Sequence, residues 1–287
     1  SAKIRYAVLH KAIGDDWFWF TATASDQVHA AVARHEVVAA TNVVNALAAV
    51  TVGLCGNSPV IEGMDTGFVS AREMLMGKIG AGKGRHGMPL SPIKSIADHV
   101  SQLATLPHLI RREAHGLVVG ERDFNAFLAE RPQLSDADAF DAFLLHEHYI
   151  WQSGRPRSNH GTVEVRSAAQ QPHADSMCAA ALGVAMVNAH VKLEALLVDT
   201  LGENYWETMR DWHHRVIANG LQTPEPESGL LTKIVDTCAD GLATRGRNEE
   251  RYLIPLYDRI RARENPGNVA KKRFESGGID SLLALKF

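Results

Sequence analysis

Cysteine is scarce in this chain. The three present, Cys55, Cys178 and Cys238, are odd in number and scattered through apolar helical patterns. They make no disulfide framework and read as buried, inert thiols in a reducing compartment. A dominant charge sign is lacking as well: 30 basic residues against 33 acidic ones leave a net charge of −3. That gives no polyanion-binding signature and argues against nucleic acid as a partner. Internal repeats and low-complexity tracts are absent. No secretory leader is expected, because Lys3, Arg5 and Lys11 are not followed by an apolar core and a cleavage site. One stretch, Val37 to Ile61, carries no charge, yet Thr41, Asn42, Asn45 and Thr51 interrupt it and Gly56-Asn57-Ser58-Pro59 ends it. It reads as a buried helix rather than a membrane span. The expectation is a cytoplasmic protein with no membrane partner.

What is present suffices for a substantial core. At 287 residues and 45% hydrophobic, the chain makes one large domain or two modest ones. Its first dozen residues set Ile4, Val8 and Leu9 against Lys3, Arg5 and Lys11, the pattern of a short amphipathic helix. Trp17 to Val32 is rich in aromatic and β-branched residues and reads as strand, with Ser25, Gln27 and His29 on one face. Residues 35–55, 92–107 and 135–148 read as helices, the last starting from a Ser135 cap with Asp138 at its third position. A long Ala/Leu/Val/Met helix is expected over 174–201. Helical segments follow over 205–219, 228–243, 248–264, 268–275 and 279–286, parted by Gly, Pro and Asn. A few antiparallel strands backed by many helices, without βαβ alternation, is an α+β pattern.

The glycine-rich run Gly77-Lys78-Ile79-Gly80-Ala81-Gly82-Lys83-Gly84 is not a phosphate loop. That motif needs a hydroxyl residue after its lysine, a strand before it and a helix after it. Here Gly84 takes the hydroxyl position and a helix precedes. What remains is a basic loop (Lys78, Lys83, Arg85) suited to border an anionic site. His146-Glu147-His148, with His160 and His173, offers no helical i, i+4 ligand pair and reads as solvated helix-end histidines rather than a zinc site. Trp212-His213-His214 likewise reads as a helix face.

Gly161-Thr162-Val163-Glu164-Val165-Arg166 is the most informative stretch. Its alternation makes one half-buried strand, with Val163 and Val165 on one face and Thr162, Glu164 and Arg166 on the other. Glu164 and Arg166 then stand roughly 6–7 Å apart at two residues of strand rise. An acid and a base presented together could hold a metal-bound phosphate or a charged substrate; an ion pair on a solvated strand face is the plainer alternative. Upstream, Arg155-Pro156-Arg157 supplies two guanidiniums stiffened by a proline, and such groups match carboxylate and phosphate oxygens.

Together these residues resemble glutamate–cysteine ligase family 2. Trp151, Arg155-Pro156, Gly161 to Arg166, Gln171-Pro172 and the long helix beyond fall in that family's order. So do Gln27-Val28-His29 and the loop Asn57-Ser58-Pro59, Gly63, Thr66-Gly67-Phe68, Ser70-Ala71-Arg72. The helical tail, with Trp212, Gly220-Leu221 and Gly277-Gly278, is similar to the ergothioneine-pathway branch.

The resemblance implies a glutamine synthetase-like catalytic fold, its antiparallel sheet forming one wall of the active site. Residues 1–173 would be the sheet-containing catalytic part and 174–287 a helical part packed on it. It implies an ATP- and magnesium-dependent carboxylate–amine ligase: a glutamate-like acid is phosphorylated, and an amine such as cysteine attacks the acyl phosphate. By that resemblance Glu164 and Gln27 would be magnesium ligands, and Gln27, His29, Arg155 and Arg157 would face the nucleotide. Arg166 and Arg155 would act on the transferred phosphoryl group, and Arg72, Ser70 and Thr66 would hold the amino-acid substrate. The family's acidic Gly-x-Glu-x-Glu motif has no counterpart here, and Ala169 stands where many members carry Asp. A complementary subunit or a homo-oligomer is therefore expected. The alternative is a non-catalytic or partner-dependent homologue that keeps the fold as a binding or assembly subunit.

Overall fold

The computed structural model describes residues 2–79 and 84–284. The basic loop expected around Lys78, Lys83 and Arg85 lies partly outside them. Two compact units emerge, one from Ser1–Thr23 and Leu75–Gln152, the other from Ala24–Met74 and Ser153–Phe287. This division differs from a boundary at residue 173: the strand before that point and the helices after it bury a common core within the second unit.

That core is organised by a three-stranded antiparallel sheet. Thr162–Val165 runs in the middle, flanked by Val28–Ala31 and Gly154–Arg157. Val163 and Val165 are buried as expected, each such side chain stabilising the fold by about 1.5–3 kcal/mol. Glu164 and Arg166 on the opposite face are buried as well, so the strand is not the half-buried one expected. The helix Met177–Asn188 lies on the apolar face. It approaches so closely that a Cβ on Gly183 would meet Val28 Cγ1 at 2.4 Å. Gly154 has a similar role, with Val44 of the helix Val37–Ala46 where its Cβ would stand. Asn45 fixes that contact, donating to Gly154 O at 2.8 Å and accepting from Gly154 N at 2.7 Å.

The apolar helix expected over 35–55 is two, Val37–Ala46 and Ala48–Cys55, bent by 47°. The helix expected over 174–201 is likewise Met177–Asn188 and His190–Leu201, bent by 83°. No single helix among the described residues is long and apolar enough to cross a membrane. Tyr205–Asn219 forms as expected and buries Trp212 fully. The tail helices expected over 268–275 and 279–286 join as Pro266–Leu283, kinked at Gly277 and Gly278. Asn265 starts this helix with a capping box, and its side chain also donates to Gly53 O at 2.7 Å.

The first unit differs most from expectation. Trp17–Ala22 is helical rather than strand, because Trp17 packs on the cluster of Leu9, Ile13, Ile110 and Trp151 and tertiary packing overrides β-propensity. A hairpin, Ile110–Glu113 with Gly116–Val119, occupies a region with no assigned element. The helix expected over 92–107 is Ile96–Ala104, while Asp136–His148 starts at Ser135 as expected. His146 is not solvated: it is 1% exposed and stacks on Phe124 in a second apolar cluster with Phe127 and Phe143. Helix outweighs strand and the sheets are small and mostly antiparallel, so the class is α+β.

Candidate functional site

The polar face of the three-stranded sheet gathers most of the residues singled out above. The turn closing the two strands is made by Gly161, whose φ of +62° lies in the left-handed region that favours glycine. Pro156 is tolerated because its strand pairs on one side only, with Thr162–Val165. The resulting register sets His29, Glu164 and Arg155 in one row across the sheet.

Glu164 is the hub of this row. Arg155 Nε donates to its Oε2 at 2.7 Å, and Arg166 donates to its Oε1. The Arg157 guanidinium stands 3.6 Å from Oε2. Gln27 joins through its Oε1, which accepts from Arg166 at 2.9 Å. Burial alone would raise the Glu164 pKa, but Arg166, Arg155 and Arg157 overcome it and hold the carboxyl at about 2. His29 Nε2 lies 3.8 Å from Glu164, yet burial lowers its pKa below the ordinary 6.5, so it is neutral at pH 7 and makes no ion pair there.

Three guanidiniums converge on this one carboxylate, and Glu73 adds a second, more distant negative charge that acts on Arg166. Arg157 is the least satisfied. Its Nε and Nη1 are buried with no hydrogen-bond partner among the described residues. Burial, then the charge of Arg155, pulls Arg166 down to about 10, with Arg72 contributing and Glu164 opposing. Arg72 therefore shares the electrostatic environment of the cluster.

The loop before Arg72 is organised by its own hydrogen bonds. Ser58 Oγ accepts from Arg72 N at 3.0 Å, and Asn57 donates to Gln170 O at 2.9 Å. Arg72 is buried and ion-paired with its buried neighbour Glu73. Ser70 is buried and bridges Ser58. Thr66 spends its hydroxyl on the loop, donating to Pro59 O at 2.8 Å and accepting from Phe68 N at 3.2 Å. The structure thus brings together Glu164, Arg155, Arg157, Arg166, Gln27 and His29, sets Arg72 within electrostatic reach, and gives Thr66 and Ser70 a loop-building place.

Ser153 and Ser167 were not anticipated. Both flank arginines of the cluster in sequence, and both hydroxyls are buried with no partner among the described residues. Their signal in the chain is nearness to the arginines, Ser153 two residues before Arg155 and Ser167 directly after Arg166. Ala169 is buried and bridges Ser25, adding no acid.

The glutamate-cysteine ligase family 2 model matches residues 2–274. The chain belongs to glutamate–cysteine ligase family 2. No curated protein matches the sequence. Membership in this family makes a ligase-type enzyme the class to which the site is fitted.

Magnesium, which the family implies, does not fit these residues. The ion takes near-octahedral oxygen ligands. Here one carboxylate has both oxygens engaged by arginine, and the Gln27 amide oxygen is engaged too. Among the described residues no group of three or more His, Cys, Asp or Glu side chains is placed to hold a metal ion. A polyphosphate does fit: three clustered guanidiniums, with two Arg157 nitrogens that make no hydrogen bond among the described residues, are the chemistry that binds phosphate oxygens.

Proposed function

We propose that this chain serves a carboxylate–amine ligase, glutamate–cysteine ligase-like, on a glutamine synthetase-like arrangement whose sheet is one wall of the site. The observation that carries this reading is the set of Arg155, Arg157 and Arg166 on a single carboxylate, with two Arg157 nitrogens that make no hydrogen bond among the described residues.

ATP supplies the phosphoryl group that activates the acid. The residues that would hold its anionic oxygens are Arg155, Arg157 and Arg166. Phosphoryl transfer asks chiefly for charge neutralisation and positioning, which preorganised guanidiniums provide without covalent chemistry. Glu164 acts here as the anchor that fixes the arginines, accepting hydrogen bonds from Arg155 and Arg166 and holding Arg157 by a longer ion pair alone. Gln27 orients Arg166 from the neighbouring strand. Arg72 would pair with the carboxylate of a glutamate-like substrate, exchanging part of its bond to Glu73. An amine such as that of cysteine is the expected acceptor.

A partner-dependent or purely binding role is the second reading, and the single, arginine-engaged carboxylate favours it. Release of ADP from ATP, glutamate and a panel of amines separates the two. Turnover lost in Arg166→Gln supports the ligase; ATP binding with no turnover under any amine supports the binding subunit.

A further inference from the structure

The first unit contains a cavity of about 860 Å³ that shares no residue with the arginine cluster. Its apolar lining comes from Leu117, Leu134, Leu145 and Phe127. Ligand pockets combine this size and apolarity with a few convergent polar groups, and such groups are present here. His108 and Tyr149 line the cavity at 2% and 3% exposure. Neither ring nitrogen of His108 nor the Tyr149 hydroxyl has a hydrogen-bond partner among the described residues, and neither has the buried Nε of Arg5. Buried polar groups left unpaired cost about 1–3 kcal/mol each, so three on one cavity mark a place where something else completes them.

The lining is mixed in sign, and burial separates the two signs: Arg5 and Arg131 are half-buried, whereas Asp138 and Asp141 are exposed. Arg5, Arg112 and Arg131 line it together with Glu113, Asp138 and Asp141. Glu113 is held by Arg111 and Arg131, and Asp138 accepts from the hydroxyl of Ser135, the residue that caps its helix. Arg112 is exposed and has no ion pair among the described residues. Arg131 is pinned 4.4 Å over the Phe127 ring, its guanidinium fixed by stacking rather than free to follow solvent. His108 is kept neutral: burial, then the charges of His146, Arg111, Arg85 and Arg131, push its pKa down to about 3. A neutral imidazole offers one donor and one acceptor, and the tyrosine hydroxyl offers either.

We propose that this cavity is a binding site for an amphipathic organic anion, an oxygen-anion head carried on a compact apolar body. The head pairs with Arg5, Arg112 and Arg131, the body lies on the leucines and Phe127, and its hydrogen-bonding edge satisfies Tyr149 and His108. Carboxylate and phosphate heads share this chemistry.

Calorimetric titration of the full chain with naphthyl phosphate, naphthoate and neutral naphthol tests the assignment. At least one of the two anions binds saturably at one site, and which one binds tighter identifies the head. Naphthol binds at least about tenfold more weakly, the loss expected when a charge-assisted pairing is removed. Tyr149→Phe, which keeps the ring, and Arg112→Gln, which alters an exposed side chain, each weaken the anion severalfold while circular dichroism stays that of the parent. Absence of binding by both anions, equal binding of naphthol, or unaltered affinity in both variants overturns the proposal.

Discussion

Arg155 and Glu164 face each other in register across two antiparallel strands, and their side chains meet at 2.7 Å. The pairing fixes a guanidinium against the sheet in a setting where a second and third arginine already compete for the same carboxylate. Glu164 is therefore the keystone of a cationic site, and its removal has consequences beyond one lost contact.

Glu164→Gln leaves three guanidiniums crowded without the carboxylate they share. Removing one partner from a buried ionic cluster costs about 3–5 kcal/mol. Urea denaturation of the variant is expected to fall by that order, with the slope of free energy against urea unchanged. A stability equal to the parent's contradicts the anchoring role.

Acid stability carries the same signature. The Glu164 carboxyl is depressed from 4.5 to about 2 in the folded chain. A depressed folded pKa means that the stabilisation is complete above about 4.5 and is lost as pH falls through about 2; it is on the order of 3 kcal/mol. Thermal melts between pH 5 and 2, within about that window, decline more steeply for the parent than for Glu164→Gln. Parallel curves for the two proteins would contradict it.

Arg157→Gln separates binding from folding. Its Nε and Nη1 make no hydrogen bond among the described residues, and its 3.6 Å ion pair to Glu164 duplicates those of Arg155 and Arg166, so the melting temperature changes little. Affinity for tripolyphosphate, measured by calorimetry, drops about tenfold, the typical loss for one charge-assisted contact.

Gly183→Ala probes how the sheet is held from its apolar side. A Cβ there would stand 2.4 Å from Val28 Cγ1 and 3.2 Å from Val165 Cβ. The β-branched valines are stiff, and overpacking of this kind costs about 1–3 kcal/mol. Chemical denaturation reads the loss, and weaker phosphate binding accompanies it because Val165 lies between Glu164 and Arg166.

Much of this site is legible in the chain because strand periodicity is short-range. Alternation alone sets Glu164 and Arg166 on the face opposite Val163 and Val165, and the serine cap at 135 is equally local. Three features are not legible for the opposite reason. Trp17–Ala22 is helical because of what Trp17 packs against, not because of its own residues. The bend between Asn188 and His190 is accompanied by a contact of His190 Nδ1 with Val187 O at 2.8 Å, which apolar periodicity does not encode. The saturation of Glu164 by three arginines depends on register across strands, and register argues against the metal-ligand role that the family resemblance implies.

The most direct test of the central claim is calorimetric titration of ATP into the full chain with EDTA, and again with excess magnesium. Binding by the arginine cluster predicts saturable association in EDTA, no weaker than with magnesium and weakened by Arg157→Gln. Association only when magnesium is present, or unaltered in Arg157→Gln, would contradict the account.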